Sequence, residues 1–179
     1  MSKSIPIDER LRLIEVYASV QGESTWAGLP CVFVRLAGCN LRCTWCDSTF
    51  TFKGGEHRSI DSVVAEVAEA GIHLVEITGG EPLAHRQVVP LIERLQAAGH
   101  QVIVETSGSV DIAILPDGAH AIMDLKAPDS GEVDANFWPN IGHLRPGDEV
   151  KFVLASRRDY EWSREVVREH GLEERVPVL

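Results

Sequence analysis

The chain has 179 residues, 44% hydrophobic and 25% charged, a composition that supports one globular core and excludes a disordered or fibrous chain. Its 17 Lys+Arg against 27 Asp+Glu give a net charge of −10, which argues against a phosphate-tracking nucleic-acid binder or a polybasic membrane anchor and for a small-molecule partner. No apolar run is long enough to span a bilayer, and the opening Met1 to Pro6 lacks the apolar stretch of a signal peptide, so the expected compartment is the cytoplasm.

In chain order, 11–17 and 31–36 carry the alternating β-branched and aromatic character of strands, and a polar loop with three cysteines follows the second. Residues 59–70 predict a helix with Val63, Val64, Val67 and Ala68 on one stripe, Ser59 or Asp61 capping its start and Gly71 its end. A strand over 73–78 runs into Gly79-Gly80-Glu81-Pro82. The pattern then repeats: a helix over 87–98 buries Val88, Leu91, Ile92 and Leu95, and a strand over 101–105 ends in Thr106-Ser107-Gly108. Strands over 119–124 and 149–154 and a helix over 159–170 continue the series to about five β/α units, and 176–179 begins the strand of a sixth.

Strands separated by helices require crossover connections and a mainly parallel sheet, so the class is α/β. A closed eight-unit barrel needs about 250 residues; the expectation is therefore an incomplete (β/α) barrel of five to six parallel strands, one domain over residues 1–179. Ligands of such sheets lie beyond the carboxyl ends of the strands, where the cysteine loop, 78–82, 105–108 and 124–126 all fall.

The cysteines are Cys31, Cys39, Cys43 and Cys46, too crowded for a disulfide framework and typical of a metal or cofactor site. Cys39-Asn-Leu-Arg-Cys43-Thr-Trp-Cys46 is a C-x3-C-x2-C triplet directly after a strand. A structural zinc needs a fourth ligand, for which Cys31 or His57 is available, whereas three thiolates on a [4Fe–4S] cluster leave one iron open to an exogenous ligand. Cys31 lies within a strand, as buried cysteines do, and the cluster is the preferred reading.

The triplet, with Gly79-Gly80-Glu81-Pro82 at a later strand end, resembles the radical S-adenosylmethionine superfamily. The resemblance implies that the open iron is chelated by S-adenosylmethionine, and that one-electron cleavage of the sulfonium gives a 5′-deoxyadenosyl radical able to abstract hydrogen. Tyr17 to Ser24 (Tyr-Ala-Ser-Val-Gln-Gly-Glu-Ser), Ala27-Gly-Leu-Pro30, Phe33 to Gly38, Cys46-Asp47-Ser48 and Asp124-Leu-Lys126 together resemble the 7-carboxy-7-deazaguanine synthase family over most of the chain. That family is a carbon–nitrogen lyase family that converts 6-carboxy-5,6,7,8-tetrahydropterin to 7-carboxy-7-deazaguanine with loss of ammonia, toward 7-deazapurines such as queuosine. The implied cofactors are the cluster, S-adenosylmethionine and Mg²⁺; the implied partners are a small pterin substrate, an external electron donor and, as a homodimer, a second copy. Family members extend past the position of Leu179 into a last strand and helix, which this chain is expected to lack.

By the same resemblance, Val20 (through its backbone), Gln21, Gly22, Arg35 and Thr78 meet the substrate. Trp45, Asp47, Gly79, Gly80, Glu81, Glu105, Ser107, Asp124 and Lys126 serve the cofactor, the cluster hangs on Cys39, Cys43 and Cys46, and Ser48 stands where the family has Thr as a Mg²⁺ ligand, with Thr49 adjacent. Read as residues alone, Gln21 offers the donor and acceptor that an aminopyrimidinone edge needs, or is an ordinary loop residue. Arg35 on an apolar strand needs an anion, which is either the substrate carboxylate or an internal Asp or Glu. Gly79 and Gly80 permit close backbone approach of a ligand. Two other functions fit the cysteines: an activase that generates a glycyl radical on a partner enzyme, and a non-enzymatic zinc or iron–sulfur domain.

Overall fold

The computed structural model describes residues 10–179; the opening Met1 to Pro6 lies outside them. Strands β1 (Arg10–Val20) and β2 (Pro30–Leu36) form an antiparallel hairpin, and β3 (Glu56–Ser59) pairs antiparallel along the outer edge of β1. From β2 the sheet grows in parallel through β4 (Leu74–Gly79), β5 (Gln101–Thr106), β6 (His120–Asp124) and β7 (Glu149–Lys151), in the spatial order β3-β1-β2-β4-β5-β6-β7. The sheet is open and α/β, the expected incomplete barrel, with five strands parallel. The expected sixth strand at 176–179 is a short parallel extension, where Val178 bridges to Val150 and Val150 N donates to the Pro177 carbonyl.

Several details differ from the sequence reading. The connection from Gln21 to Leu29 is too short for a parallel crossover, so β1 turns back on β2. β3, Glu-His-Arg-Ser, escaped notice because a short polar edge strand has no apolar alternation. Helices occupy only part of the crossovers: α1 (Ile60–Glu69) precedes β4 and α2 (Val88–Ala97) precedes β5, but β5 reaches β6 through a 3₁₀ turn at Ile112–Ile114, and a short α3 (Asn140–His143) lies before β7. Helix α4 (Arg157–His170) starts two residues earlier than the sequence suggested, capped by Ser156, whose hydroxyl accepts from the Asp159 amide. In α1 the Ser59 hydroxyl caps the Ser62 amide, Val63 and Val67 are buried, and Ala68 faces outward.

The period-two alternation of the parallel strands divides the protein into two interiors. Val32, Val34, Val75, Ile77, Val102 and Val104 point to one face and pack under the buried residues of α1 and α2. On the opposite, concave face, Cys31, Phe33, Leu74, Ile103 and Ile122 form a smaller cluster covered by Tyr17 and Trp26. Trp26 sits in the β1–β2 connection and reaches the His120 ring at the start of β6, 6.2 Å between centroids. From the same connection Thr25 N donates to Glu149 at 3.1 Å, and Glu23 pairs with Lys151 at 2.6 Å. The hairpin thus crosses the concave face to the far strand and seals its lower end. Among the described residues no helix is long and apolar enough to cross a membrane.

Candidate active site

The stem of the cysteine loop is held from four sides. Ala37 N donates to the Arg12 carbonyl (2.8 Å), Gly38 N to Thr51 (2.7 Å) and Glu81 N to Gly38 (2.9 Å). His85 Nε2 donates to the Ala37 carbonyl at 2.7 Å. A Cβ on Gly79 would lie 2.1 Å from the Leu36 carbonyl oxygen, and one on Gly80 2.1 Å from that of Gly38 and 2.7 Å from Cys39 Cβ. The protein's own loop is therefore the close neighbour that requires these glycines, in addition to any ligand. Further out, Thr44 N donates to Ser130 (2.9 Å), and the Arg42 guanidinium lies 4.2 Å from the centre of the Phe52 ring.

Cys39, Cys43 and Cys46 are free thiols, each partly exposed, and all three line one cavity of about 530 Å³, a size suited to a small molecule. Burial raises the thiol pKa values of Cys39 and Cys43, and the nearby Lys126 charge pulls both down, the influence expected on a thiolate ligand. Cys31 is elsewhere, fully buried on β2, its thiol pushed up to about 12 by burial and the neighbouring Glu76. His57 is exposed on β3. Neither Cys31 nor His57, the two candidates for a fourth zinc ligand, lines the cavity that Cys39, Cys43 and Cys46 share.

Most residues singled out in the sequence meet in this cavity. Gln21, Gly22, Arg35 and Thr78 line one part; Trp45, Asp47 and Ser48 line the loop side; Gly79, Gly80, Glu105, Ser107, Asp124 and Lys126 line the strand ends. Ser48 donates to Asp47 at 2.8 Å, and Thr49 is absent from the lining. Two residues stand apart. Val20 is 57% exposed and outside the lining. Glu81 is fully buried, accepting from Leu83 N (2.9 Å), Thr106 Oγ1 (2.8 Å) and Ser107 N (2.7 Å), so it ties the Gly-Gly turn to the end of β5 and has no open oxygen for a cofactor.

Arg35 lines the cavity already paired: Nε donates to Glu15 at 2.8 Å and Nη2 to the Tyr17 hydroxyl at 2.7 Å. The internal partner considered from the sequence is thus present. Gln21 is buried, its amide nitrogen donating to Glu76 and its oxygen accepting from Glu23 N at 3.0 Å. Glu105 accepts from Thr78 Oγ1 at 3.1 Å and from Lys151, which ties it to the end of β4 and to β7. Asp124 pairs with Lys126 at 2.8 Å through one oxygen, while its buried Oδ1 has no partner, an acceptor waiting for a donor-bearing ligand.

Sequence reasoning missed Glu76 and Lys151, which complete the cavity floor with Glu105. Burial and the charge of Glu105 push the Glu76 carboxyl up to about 8. Burial works against the charges of Glu105 and Lys151 too, but their mutual attraction wins, holding the carboxylate below and the ammonium above its ordinary value. The available signal was a charged side chain on an otherwise apolar strand, the same signal that drew attention to Arg35.

A sequence profile of the Radical SAM superfamily matches residues 33–173. A 7-carboxy-7-deazaguanine synthase of Koribacter versatilis is 51% identical over 168 residues, covering 93% of this chain and 74% of the relative. Another, from Chlorobaculum tepidum, is 38% identical, covering 90% and 75%. The crystal structure of QueE from Escherichia coli superposes with a TM-score of 0.77 at 24% identity, over 89% of this chain and 78% of that one, and shares the fold. The chain belongs to the radical S-adenosylmethionine superfamily and, within it, to the family of 7-carboxy-7-deazaguanine synthases. Its cofactors are accordingly a [4Fe–4S] cluster and S-adenosylmethionine, and the residues present fit both: three free thiols on one cavity wall, a cation beside two of them, and an orphaned carboxylate oxygen at the strand ends.

Proposed function

We propose that this protein converts 6-carboxy-5,6,7,8-tetrahydropterin to 7-carboxy-7-deazaguanine with release of ammonia. The observation that carries the reading is one cavity with two chemically distinct ends, a wall of three thiols and a floor of Gln21, Glu76, Thr78, Glu105 and Lys151. Cys39, Cys43 and Cys46 hold the cluster, and Asp124, Lys126 and the backbone of Gly79 and Gly80 receive S-adenosylmethionine. When bound, these groups supply one-electron cleavage of the sulfonium and hydrogen abstraction from the substrate.

The pterin's adjacent ring N–H groups face the floor. The Gln21 amide is occupied by Glu76 and Glu23, so Glu105, charged and 31% exposed to the cavity, is the complementary acceptor, with Thr78 beside it. Arg35, steadied by Glu15 and Tyr17, presents its remaining N–H groups to the substrate carboxylate. Ser48 offers a hydroxyl oxygen to Mg²⁺, a hard cation that shares its ligands with substrate and water.

Anaerobic incubation of the iron-loaded protein with 6-carboxytetrahydropterin, S-adenosylmethionine, Mg²⁺ and a reductant tests the reading. The expected products are 7-carboxy-7-deazaguanine and ammonia. Cofactor cleavage with the pterin returned unchanged overturns it.

A further inference from the structure

Glu76 and Glu105 stand on neighbouring parallel strands, and because Ile77 pairs with Val104, their side chains meet diagonally on the concave face. The charges of the two carboxyl groups act on each other. Two ionised carboxylates side by side are acceptors only and repel, whereas one proton between them turns the contact into a hydrogen bond. The rest of the floor decides which of them holds it. Glu105 receives Lys151 and Thr78, both donors that suit a charged carboxylate, whereas Glu76, 4% exposed, receives only the neutral amide of Gln21.

Every neighbouring element agrees. From β2, Glu76 meets the neutral thiol of Cys31; from β5, the anion Glu105; from β7, the Lys151 ammonium, which is shared with Glu105 and with Glu23 of the β1–β2 connection. The other charged groups nearby compensate one another or are capped: Asp124 with Lys126, Arg35 with Glu15, and Glu149 by the backbone amide and hydroxyl of Thr25. An ionised Glu76 would add a buried carboxylate to a lysine already shared by Glu105 and the exposed Glu23, an arrangement burial disfavours.

We propose that Glu76 is a positioning residue that works as a carboxylic acid, its proton bridging to Glu105 and fixing that carboxylate to receive the N–H groups of the substrate ring. The proposal rests on the pterin reading above and adds to it a specificity element on β4 and a pH limit on substrate binding. Loss of the proton removes the bridge, sets two anions against each other and turns Glu105 away from the ligand.

The test is anaerobic equilibrium dialysis of 6-carboxytetrahydropterin against the iron-loaded protein with S-adenosylmethionine but no reductant, so binding is read without turnover. Wild-type affinity is expected to be constant up to about pH 8 and to fall by up to about tenfold per pH unit above it. Glu76→Gln keeps the volume and a donor toward Glu105 but cannot titrate; it should bind within about threefold of wild type at neutral pH and lose the alkaline decline. Iron content and S-adenosylmethionine affinity should not change. An alkaline decline that persists in Glu76→Gln, or its absence from the wild type, overturns the proposal. Failure of the wild type to bind the pterin at any pH overturns the pterin reading instead. Should Glu76→Gln not fold, the wild-type infrared spectrum decides: a protonated-carboxyl band that titrates away near pH 8 supports the proposal, and its absence at neutral pH overturns it.

Discussion

Gly80 lies against Cys39 with so little space that a Cβ on the glycine would stand 2.7 Å from Cys39 Cβ and 2.1 Å from the Gly38 carbonyl oxygen. The Gly-Gly turn and the cysteine loop are thus one structural unit. Gly80→Ala must displace backbone, so reconstituted iron should fall to less than half of wild type, whereas Cys31→Ala, in the buried concave-face cluster outside the cavity lining, should keep full iron. Iron and sulfide quantitation under anaerobic conditions checks both. Full iron in Gly80→Ala would show that the loop adjusts freely.

Glu81 is the second brace of that unit. Its carboxylate gathers the Leu83 and Ser107 amides and the Thr106 hydroxyl without exposure to solvent. Glu81→Ala leaves buried donors unpaired and should lower stability by about 2–4 kcal/mol, visible as a lower denaturation midpoint. A change under about 0.5 kcal/mol would mean that water replaces the carboxylate.

How much of this was legible in the sequence depends on whether a residue's role is local. The cysteine spacing and the Gly-Gly-Glu-Pro turn announce themselves because their neighbours in space are also neighbours in the chain or follow the next strand. Val88, Leu91, Ile92 and Leu95 were predictable because one helix face decides their burial. Glu81 was misread, since its partners at 106 and 107 belong to another strand end. The direction of β1 and the roles of Glu76 and Lys151 depend on strand pairing and on which face of the sheet is concave. A single carboxyl in an apolar strand signals only that a partner exists.

Arg35 offers a third test. Lysine at this position keeps the charge but loses the planar fork that Glu15 and Tyr17 share. Arg35→Lys should weaken pterin binding by about tenfold or more while iron content and substrate-free cofactor cleavage persist. Glu15→Ala should have a smaller effect in the same direction, because it loosens the guanidinium without removing it. Unaltered pterin affinity in Arg35→Lys would leave Arg35 as an ion-pair residue alone.

The proposed Mg²⁺ site can be tested by substitution, because Ser48 lines the cavity and Thr49 does not. Ser48→Ala should reduce turnover and its response to Mg²⁺ while sparing the cluster; Ser48→Thr should stay active, since the oxygen is retained. Loss of the Mg²⁺ response in Thr49→Ala instead would move the site by one residue.

Stability should carry the signature of Glu76. Its carboxyl is raised from 4.5 to about 8 on folding, so the folded state holds a proton that the unfolded chain releases. This contribution is complete below pH 4.5, declines as pH rises through the interval and is lost by about 8. Glu76→Gln removes the decline, and its stability relative to wild type should improve steadily from acid to alkaline pH in denaturant titrations. A constant difference across that range would show that Glu76 has no raised pKa.

The bond from Glu23 to Lys151 joins residues 128 positions apart, and that from Thr25 to Glu149 joins residues 124 apart. Contacts of such separation form late, because the intervening chain must first be ordered. The hydrogen bonds at the stem of the cysteine loop reach no further along the chain than His85, and the brace from Glu81 no further than Ser107. During synthesis from the amino end, the stem of the cluster loop can therefore form while Glu105 still lacks its counter-charge. The two ends of the cavity mature at different times, and the order runs from the redox end to the recognition end.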